Sequence, residues 1–201
     1  MSDDANINVT PLDRRDAVRT LLADRQDLLV VTGLGSPAYD VMAAGDHDLN
    51  VYLWGAMGGA AMVGLGLALA KPDRPVLVVT GDGEQLMGLG AMATIATQKP
   101  ANLAVVVLDN GHYGETGMQK SHTGRGLSLA AVAKSCGFEN SSMITCEQQL
   151  QTLAQDIHAC TALRFASISI HHENPSRVLP SRDGIYIKNR FRAALDIPLN
   201  L

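Results

Sequence analysis

The stretch Gly81-Asp82-Gly83-Glu84 joins a predicted strand to a predicted helix. Residues 76–80 are a run of valine, leucine and threonine that is typical of a strand buried on both faces. Residues 84–98 contain no proline and few charges, and they predict a helix whose amino end faces the same crevice. We therefore expect Asp82 at the carboxyl end of a parallel strand, where open α/β sheets bind their ligands.

A second strand, predicted over 103–108, brings Asp109 and Asn110 to the same edge of the sheet. The Asp82 carboxylate and the Asn110 amide are hard oxygen ligands, which suit Mg²⁺ bound together with phosphate oxygens and water. Gly81 and Gly83 allow the backbone to approach a phosphate closely. Asp82 could instead cap the following helix, and Asn110 could serve the turn in which it lies. The occurrence of both residues at one sheet edge favours a metal site.

The remaining pattern predicts an α/β fold in one domain over residues 1–201, with a three-layer parallel sheet flanked by helices, because strands alternate with helices. Residues 111–126 hold five glycines and predict a mobile loop over the site. The first helix should be capped by Thr10. Strands are predicted over 28–32, 50–53, 76–80, 103–108, 142–145 and 165–170, and helices over 11–25, 56–70, 84–98, 127–136, 147–160 and 185–195.

Composition excludes several classes of protein. Hydrophobic residues make up 46% and charged residues 18%, as in globular chains, and the net charge of −4 argues against a nucleic-acid surface. The three cysteines have no metal-binding or disulfide spacing. Residues 1–6 carry two acids and no apolar core, so we expect no signal peptide and a cytoplasmic location. Residues 49–70 lack charges but are broken at Gly55, which favours a buried helix over a membrane span.

Taken together, these motifs resemble the thiamine diphosphate motif of decarboxylases and carboligases. Two further loops support the resemblance. One is Thr32-Gly33-Leu34-Gly35-Ser36, in the position of the first diphosphate loop of that family. The other is Leu53-Trp54-Gly55-Ala56-Met57-Gly58, which is similar to the loop that holds the two rings of the cofactor.

The resemblance implies roles for individual residues. The Gly55 carbonyl would accept a hydrogen bond from the 4'-amino group of thiamine diphosphate, and the Met57 side chain would hold the cofactor bent. Mg²⁺ would be bound by Asp82, Asn110 and the backbone carbonyl of His112. Glu84 would repel phosphate unless its carboxylate points away, so a supporting role is expected for it. The residues predicted to bind the cofactor are Gly33, Gly35, Ser36, Gly55, Ala56, Met57, Gly81, Asp82, Gly83, Glu84, Asn110, His112, Tyr113, Gly114 and Glu115.

Two histidines of the glycine-rich segment are candidates for catalysis. His112 and His122 could carry protons or bind anions, although loop histidines are commonly just solvated. Pyruvate decarboxylases of the family carry an acid near Glu115, but Thr116 occupies the corresponding position here. A mechanism specific for pyruvate is therefore not transferred to this chain.

Three basic residues of the last predicted helix are candidates for the substrate anion. Lys188, Arg190 and Arg192 could reach a sulfonate or a phosphonate, but a solvated helix face is the simpler interpretation.

Enzymes of this family ionise the cofactor with a glutamate from a separate pyrimidine-binding domain, for which this length leaves no room. We therefore expect a hetero-oligomer with a pyrimidine-binding alpha subunit. Residues 109–119 resemble the beta subunit of sulfopyruvate decarboxylase and the corresponding half of phosphonopyruvate decarboxylase. The resemblance implies a lyase that converts a small 2-oxoacid, sulfopyruvate, to sulfoacetaldehyde and CO₂. Alternatives are a phosphonopyruvate decarboxylase subunit, a 2-oxoacid:ferredoxin oxidoreductase beta subunit, and a non-catalytic cofactor-binding subunit.

Overall fold

The computed structural model describes residues 11–198, which form strands and helices in alternation. The strands are β1 (Leu29–Thr32), β2 (Asn50–Tyr52), β3 (Val76–Gly81), β4 (Leu103–Asp109), β5 (His112–Tyr113), β6 (Gln119–Lys120), β7 (Asn140–Ile144) and β8 (Arg164–Ser169). The helices are α1 (Arg14–Leu22), α2 (Ser36–Ala44), α3 (Ala60–Ala70), α4 (Asp82–Met87), α5 (Ala91–Gln98), α6 (Leu129–Cys136), α7 (Glu147–Ala159) and α8 (Gly184–Ala194).

The main sheet has six parallel strands in the order β2-β1-β3-β4-β8-β7. The chain runs outward from β1 to β2 on one side and from β3 to β4 on the other. Val79 of β3 lies opposite Thr32 of β1, and Gly81 lies opposite Leu108 of β4. The carboxyl ends of β1, β3 and β4 therefore meet where the strand order reverses, the usual place for a ligand crevice. The predicted parallel α/β sheet is confirmed.

Apolar clusters cover the two faces of the sheet. One cluster joins β1, β3 and β4 to α1, α2 and α7, and the other joins the opposite side chains of these strands to α3, α5 and α6. The β3 side chains Leu77 and Val78 point into different clusters, and both are fully buried. Burying a side chain of this kind stabilises a fold by about 1.5–3 kcal/mol. The central strands are thus held rigidly, with their loops at the crevice.

The prediction of one helix over 84–98 is wrong in one respect, because the structure has two helices there, α4 and α5, separated by residues 88–90. A Cβ atom on Gly88 would lie 2.2 Å from the carbonyl oxygen of Gly58. The backbone of another loop therefore passes too close for a side chain at this position. This long-range contact, which the local sequence pattern does not indicate, requires a glycine directly after α4, which ends at Met87.

The helix predicted over 56–70 starts later, at Ala60. Gly55, Ala56 and Gly58 have φ angles of 81°, 50° and 91°, which no right-handed helix contains. Residues 55–58 therefore form a loop. The helix α3 is also less buried than expected, since Met62 and Leu69 are exposed. Within residues 11–198, no helix has both the length and the apolarity that a membrane crossing requires.

Two further segments differ from expectation. Helix α1 is shorter than the predicted 11–25 and is capped by Asp13, whose side chain accepts from two backbone N–H groups. Thr10, the predicted cap, lies outside the described residues. Residues 111–126 are not a featureless loop, because β5 and β6 form an antiparallel hairpin and the Ser121 N–H donates to the Gly111 carbonyl at 2.8 Å. The mobility of this segment stays a prediction.

Candidate functional site

Asp82 is the first residue of α4 and follows directly on β3, as the sequence predicts. Its side chain is buried, and its Oδ2 accepts hydrogen bonds from the hydroxyls of Ser121 and Thr123. The Thr123 hydroxyl also lies 2.7 Å from Oδ1 of Asp109. A threonine has one hydroxyl hydrogen, so Thr123 cannot donate to both carboxylates at once.

Burial and the proximity of the two carboxylates affect the charge state of this cluster. Burial raises the pKa of Asp82, and the nearby Asp109 carboxylate acts in the same direction. A cation would relieve the repulsion between the two acids. Carboxylate, hydroxyl and amide oxygens are the donors that Mg²⁺ prefers, so the residues present fit such an ion.

Asn110 and His112 lie in the same cleft as Asp82. The Asn110 side-chain oxygen accepts from the His112 backbone N–H at 3.0 Å, and the His112 Nδ1 lies 2.8 Å from the Asn110 carbonyl. The turn role considered for Asn110 is therefore present, while metal binding by Asn110 and His112 stays a prediction. Across residues 11–198, no three histidine, cysteine, aspartate or glutamate side chains are grouped to hold a metal. The predicted Mg²⁺ ligands do not form such a group, because they include the side-chain amide of Asn110 and the backbone carbonyl of His112.

Glu84 links three segments of the site. Its Oε2 accepts from the Leu34 backbone N–H at 2.8 Å, and its Oε1 from the Gly58 backbone N–H at 3.3 Å. A Cβ atom on Gly33 would lie 1.7 Å from Oε2, so a glycine is needed there. Burial raises the pKa of Glu84, while these hydrogen bonds act to lower it. The carboxylate is held by the loops after β1 and β2, as expected for a supporting residue.

The loop that resembles the ring-binding loop of the family has an unusual backbone. Gly55 and Ala56 both lie in the left-handed region, which is more costly for alanine than for glycine. Met57 is half-exposed and lines the cleft. A Cβ atom on Gly58 would lie 3.2 Å from the Met87 Cβ, so this loop packs against the end of α4.

The structure brings most of the predicted residues to one cleft. Those that line it are Ser36, Met57, Gly81, Asp82, Gly83, Glu84, Asn110, His112, Tyr113, Gly114 and Glu115. The predicted residues outside its lining are Gly33, Gly35, Gly55, Ala56 and His122.

The two candidate histidines occupy different places. His112 lines the cleft, and its ring lies 5.6 Å from the ring of His172. His122 is exposed, and its Nδ1 lies 2.9 Å from the Tyr113 hydroxyl. Tyr113 lines the cleft, so His122 reaches the site through a hydrogen bond to Tyr113.

The basic residues of α8 are placed elsewhere. Arg190 pairs with Asp46 at 2.6 Å and donates to the Asn50 carbonyl, so the solvated face expected for it is wrong. Arg192 donates to the Pro198 carbonyl. Lys188, Arg190 and Arg192 do not line the cleft.

The residues near the site that are absent from the predicted set include Arg14, which lines the cleft, and Ser121 and Thr123, which hold Asp82. The signal for the hydroxyls was weak, namely two hydroxyl residues spaced by two in a glycine-rich segment. Arg14 carried no local signal, because its partner Asp40 is 26 positions away.

Known proteins resemble this chain both in sequence and in fold. A sequence profile described as "Thiamine pyrophosphate enzyme, C-terminal TPP binding domain" matches residues 38–169. A solved structure of benzoylformate decarboxylase from Polynucleobacter necessarius has the same fold, with a TM-score of 0.69 and 20% identity, over 83% of this chain and 34% of that one.

Three curated relatives are more similar in sequence. Sulfopyruvate decarboxylase of Methanosarcina acetivorans is 33% identical over 92% of this chain and 47% of its own length. Phosphonopyruvate decarboxylase of Streptomyces viridochromogenes is 40% identical over 73% of this chain and 33% of its own. Sulfopyruvate decarboxylase subunit beta of Methanococcus maripaludis is 30% identical over 92% of this chain and 98% of its own.

The chain thus spans less than half of the first two relatives and nearly all of the third. The profile match covers well over half of the chain and includes β3, β4 and the acids of the cleft, whereas β1 and the loop at residues 33–36 precede it. The chain belongs to the thiamine pyrophosphate enzyme family, through the C-terminal domain that binds thiamine pyrophosphate.

Proposed function

We propose that this chain is the beta subunit of a thiamine diphosphate- and Mg²⁺-dependent decarboxylase that converts sulfopyruvate to sulfoacetaldehyde and CO₂. The observation that carries this proposal is the pair of acids Asp82 and Asp109, which share the single hydroxyl hydrogen of Thr123 at the ends of β3 and β4. Such a pair is suited to a divalent cation beside a diphosphate.

Mg²⁺ would be held by the side chains of Asp82 and Asn110 and by the backbone carbonyl of His112. The diphosphate would meet the amino end of α2, which begins at Ser36 and has no side-chain cap. Helix amino ends favour phosphate through their free N–H groups and their dipole. Glu84 contributes by fixing the loops on either side through hydrogen bonds from their backbone N–H groups.

Thiamine diphosphate supplies, when bound, the electron sink for the bond between the carboxylate and the 2-oxo carbon. The residues of the chain orient the reactants and handle the proton that replaces CO₂. The contact of the His112 Nδ1 with the Asn110 carbonyl favours a proton on Nδ1, which leaves Nε2 as an acceptor. Tyr113 and His122 offer a second route for a proton from solvent to the cleft.

A pyrimidine-binding alpha subunit would supply the activating glutamate and cover an apolar surface. Met57 and Met87 are exposed at 42% and 66%, and Gly58, the chain neighbour of Met57, packs against Met87. Exposed apolar patches of this kind are typical of protein interfaces. The subunit name of the Methanococcus maripaludis relative supports a partner chain. The expected cytoplasmic location stays a prediction.

The test is a decarboxylation assay on the complex of this chain with its pyrimidine-binding subunit. Sulfopyruvate, phosphonopyruvate and pyruvate are compared at equal concentration, with and without thiamine diphosphate and Mg²⁺. We expect CO₂ release that requires both and a kcat/KM highest for sulfopyruvate. Preference for phosphonopyruvate would favour the second candidate, which the Streptomyces viridochromogenes relative supports. A complex that binds the cofactor but releases no CO₂ from any of the three contradicts the proposal.

A further inference from the structure

Arg14 lies where the main cleft meets a smaller cavity, and the chemistry described so far gives it no role. It is the first residue of α1, and only 4% of its surface is exposed. It lines both cavities. Among the described residues that line the main cleft, Arg14 is the one arginine or lysine. A cation buried beside a ligand cleft requires an anionic partner.

Asp40 satisfies Arg14 only in part. The Arg14 Nε donates to Oδ2 of Asp40 at 2.7 Å, but the buried Nη1 has no hydrogen-bond partner within residues 11–198. The other oxygen of Asp40 lies 3.7 Å from the Nε of Arg15. One carboxylate therefore faces two guanidinium groups, which leaves one positive charge in excess.

The next acid in the neighbourhood, Glu115, is already engaged. Its Oε2 accepts from Arg177 at 2.8 Å, and its Oε1 accepts from the Ser36 hydroxyl at 3.3 Å. It therefore offers no oxygen that the structure pairs with Arg14. Leaving a buried charged donor without an acceptor is costly, so the missing acceptor is expected from a ligand.

We propose that the guanidinium group of Arg14 binds an oxyanion of the ligand in the main cleft, a phosphate or sulfonate oxygen. Two sources share this chemistry: the diphosphate of the cofactor, and the sulfonate of the substrate. The second source rests on the proposed function. In either case the guanidinium is held ready by Asp40, so little side-chain entropy is lost when the anion binds.

The test is calorimetric titration of the complex with two probes, thiamine diphosphate plus Mg²⁺ and the inert sulfonate 3-sulfopropanoate. Arg14→Gln should weaken one of them by about 10- to 100-fold, the usual worth of a charged hydrogen bond. A loss for thiamine diphosphate assigns the phosphate, and a loss for 3-sulfopropanoate assigns the sulfonate. The titration requires no turnover, so a failed decarboxylation assay leaves this result valid.

Arg15→Gln is the matched control, because it removes the same charge one residue away and also faces Asp40. It should change either affinity by less than about threefold, since Arg15 does not line the main cleft. Equal losses for Arg14→Gln and Arg15→Gln would show a general positive potential and overturn the proposal. Unchanged affinity in a folded Arg14→Gln variant also overturns it.

If Arg14→Gln does not fold, a second variant, Arg14→Lys, tests the proposal. Arg14→Lys keeps a cation for Asp40 but lacks the second arm of the guanidinium, so about a tenfold loss is expected for the same probe. Wild-type affinity for both probes in Arg14→Lys would reduce Arg14 to a counter-ion of Asp40 and contradict the proposal.

Discussion

Glu84 is a buried acid beside other acids, and it is stabilised by backbone N–H groups rather than by a cation. Burial raises the pKa of Glu84, and the hydrogen bonds from these N–H groups oppose that rise. Its contacts join the loop after β1 to the loop at Gly58, so one side chain sets the distance between the two segments predicted to touch the cofactor. This explains why an acid is tolerated where phosphate is expected.

The first prediction concerns this link. Glu84→Ala leaves the N–H groups of Leu34 and Gly58 without their acceptor, and we expect unfolding in urea to become easier by about 2–4 kcal/mol. The control is Glu139→Ala, which removes a carboxylate that is 82% exposed and 3.4 Å from Lys99. The control should cost less than about 1 kcal/mol. Equal costs for the two variants would mean that the Glu84 contacts do not hold the loops.

The second prediction separates the two histidines. His112→Gln should lower kcat of the complex on the order of a hundredfold, as loss of a proton carrier does. His122→Gln and Tyr113→Phe should have effects equal to each other, because each breaks the same hydrogen bond. Rates are measured at saturating substrate. If both histidine variants keep the wild-type kcat, the histidines are merely solvated.

Among the elements, α3 shows how the two faces of one helix differ. A Cβ atom on Gly64 would lie 2.2 Å from Cγ2 of Val78 in β3. The backbone of α3 at Gly64 therefore packs directly against the Val78 side chain. At Gly66, two residues further, no atom of residues 11–198 lies within 4 Å of that position. The helix is therefore pressed against the sheet on one side and open on the other.

The third prediction follows from this contrast. Gly64→Ala should destabilise the chain by about 1–3 kcal/mol through overpacking. Gly66→Ala should stabilise it by about 0.5–1 kcal/mol, because alanine is the better helix former and meets no obstacle. Thermal or urea unfolding of the isolated chain measures both. The same sign for both substitutions would contradict the packing of α3 described above.

Elements with strong local patterns were predictable, and those shaped by distant contacts were not. The strands β3 and β4 and the helix α7 follow from runs of apolar residues or from helical periodicity. The backbone of Gly58, 30 residues earlier, lies close to Gly88 at the break between α4 and α5. The periodicity of the sequence does not indicate such a contact.

The same distinction holds for the site. Asp82 and Asn110 stand directly after strands, so their position followed from the fold. Ser121 and Thr123 reach Asp82 from 39 and 41 positions away, and Arg14 meets Asp40 across 26. Contacts of this kind require the assembled sheet and hairpin, which is why these residues were missed.

For the whole molecule, the sheet order explains why separate motifs form one cleft. Because β1, β3 and β4 are neighbours, the segments that follow them meet at the reversal of strand order. The exposed Met57 lines the same cleft. Cofactor binding and assembly with the proposed alpha subunit should therefore be thermodynamically coupled.

The decisive measurement is calorimetric titration of the complex with thiamine diphosphate, in Mg²⁺ and in excess chelator, for the wild type and for Asp82→Asn. The exchange keeps the shape of the side chain and removes one of two neighbouring charges, so the melting temperature should not fall. We predict wild-type binding that requires Mg²⁺ and a loss of about a hundredfold or more in Asp82→Asn. Equal affinity with and without Mg²⁺, or wild-type affinity in a folded Asp82→Asn variant, would contradict the magnesium site at the ends of β3 and β4.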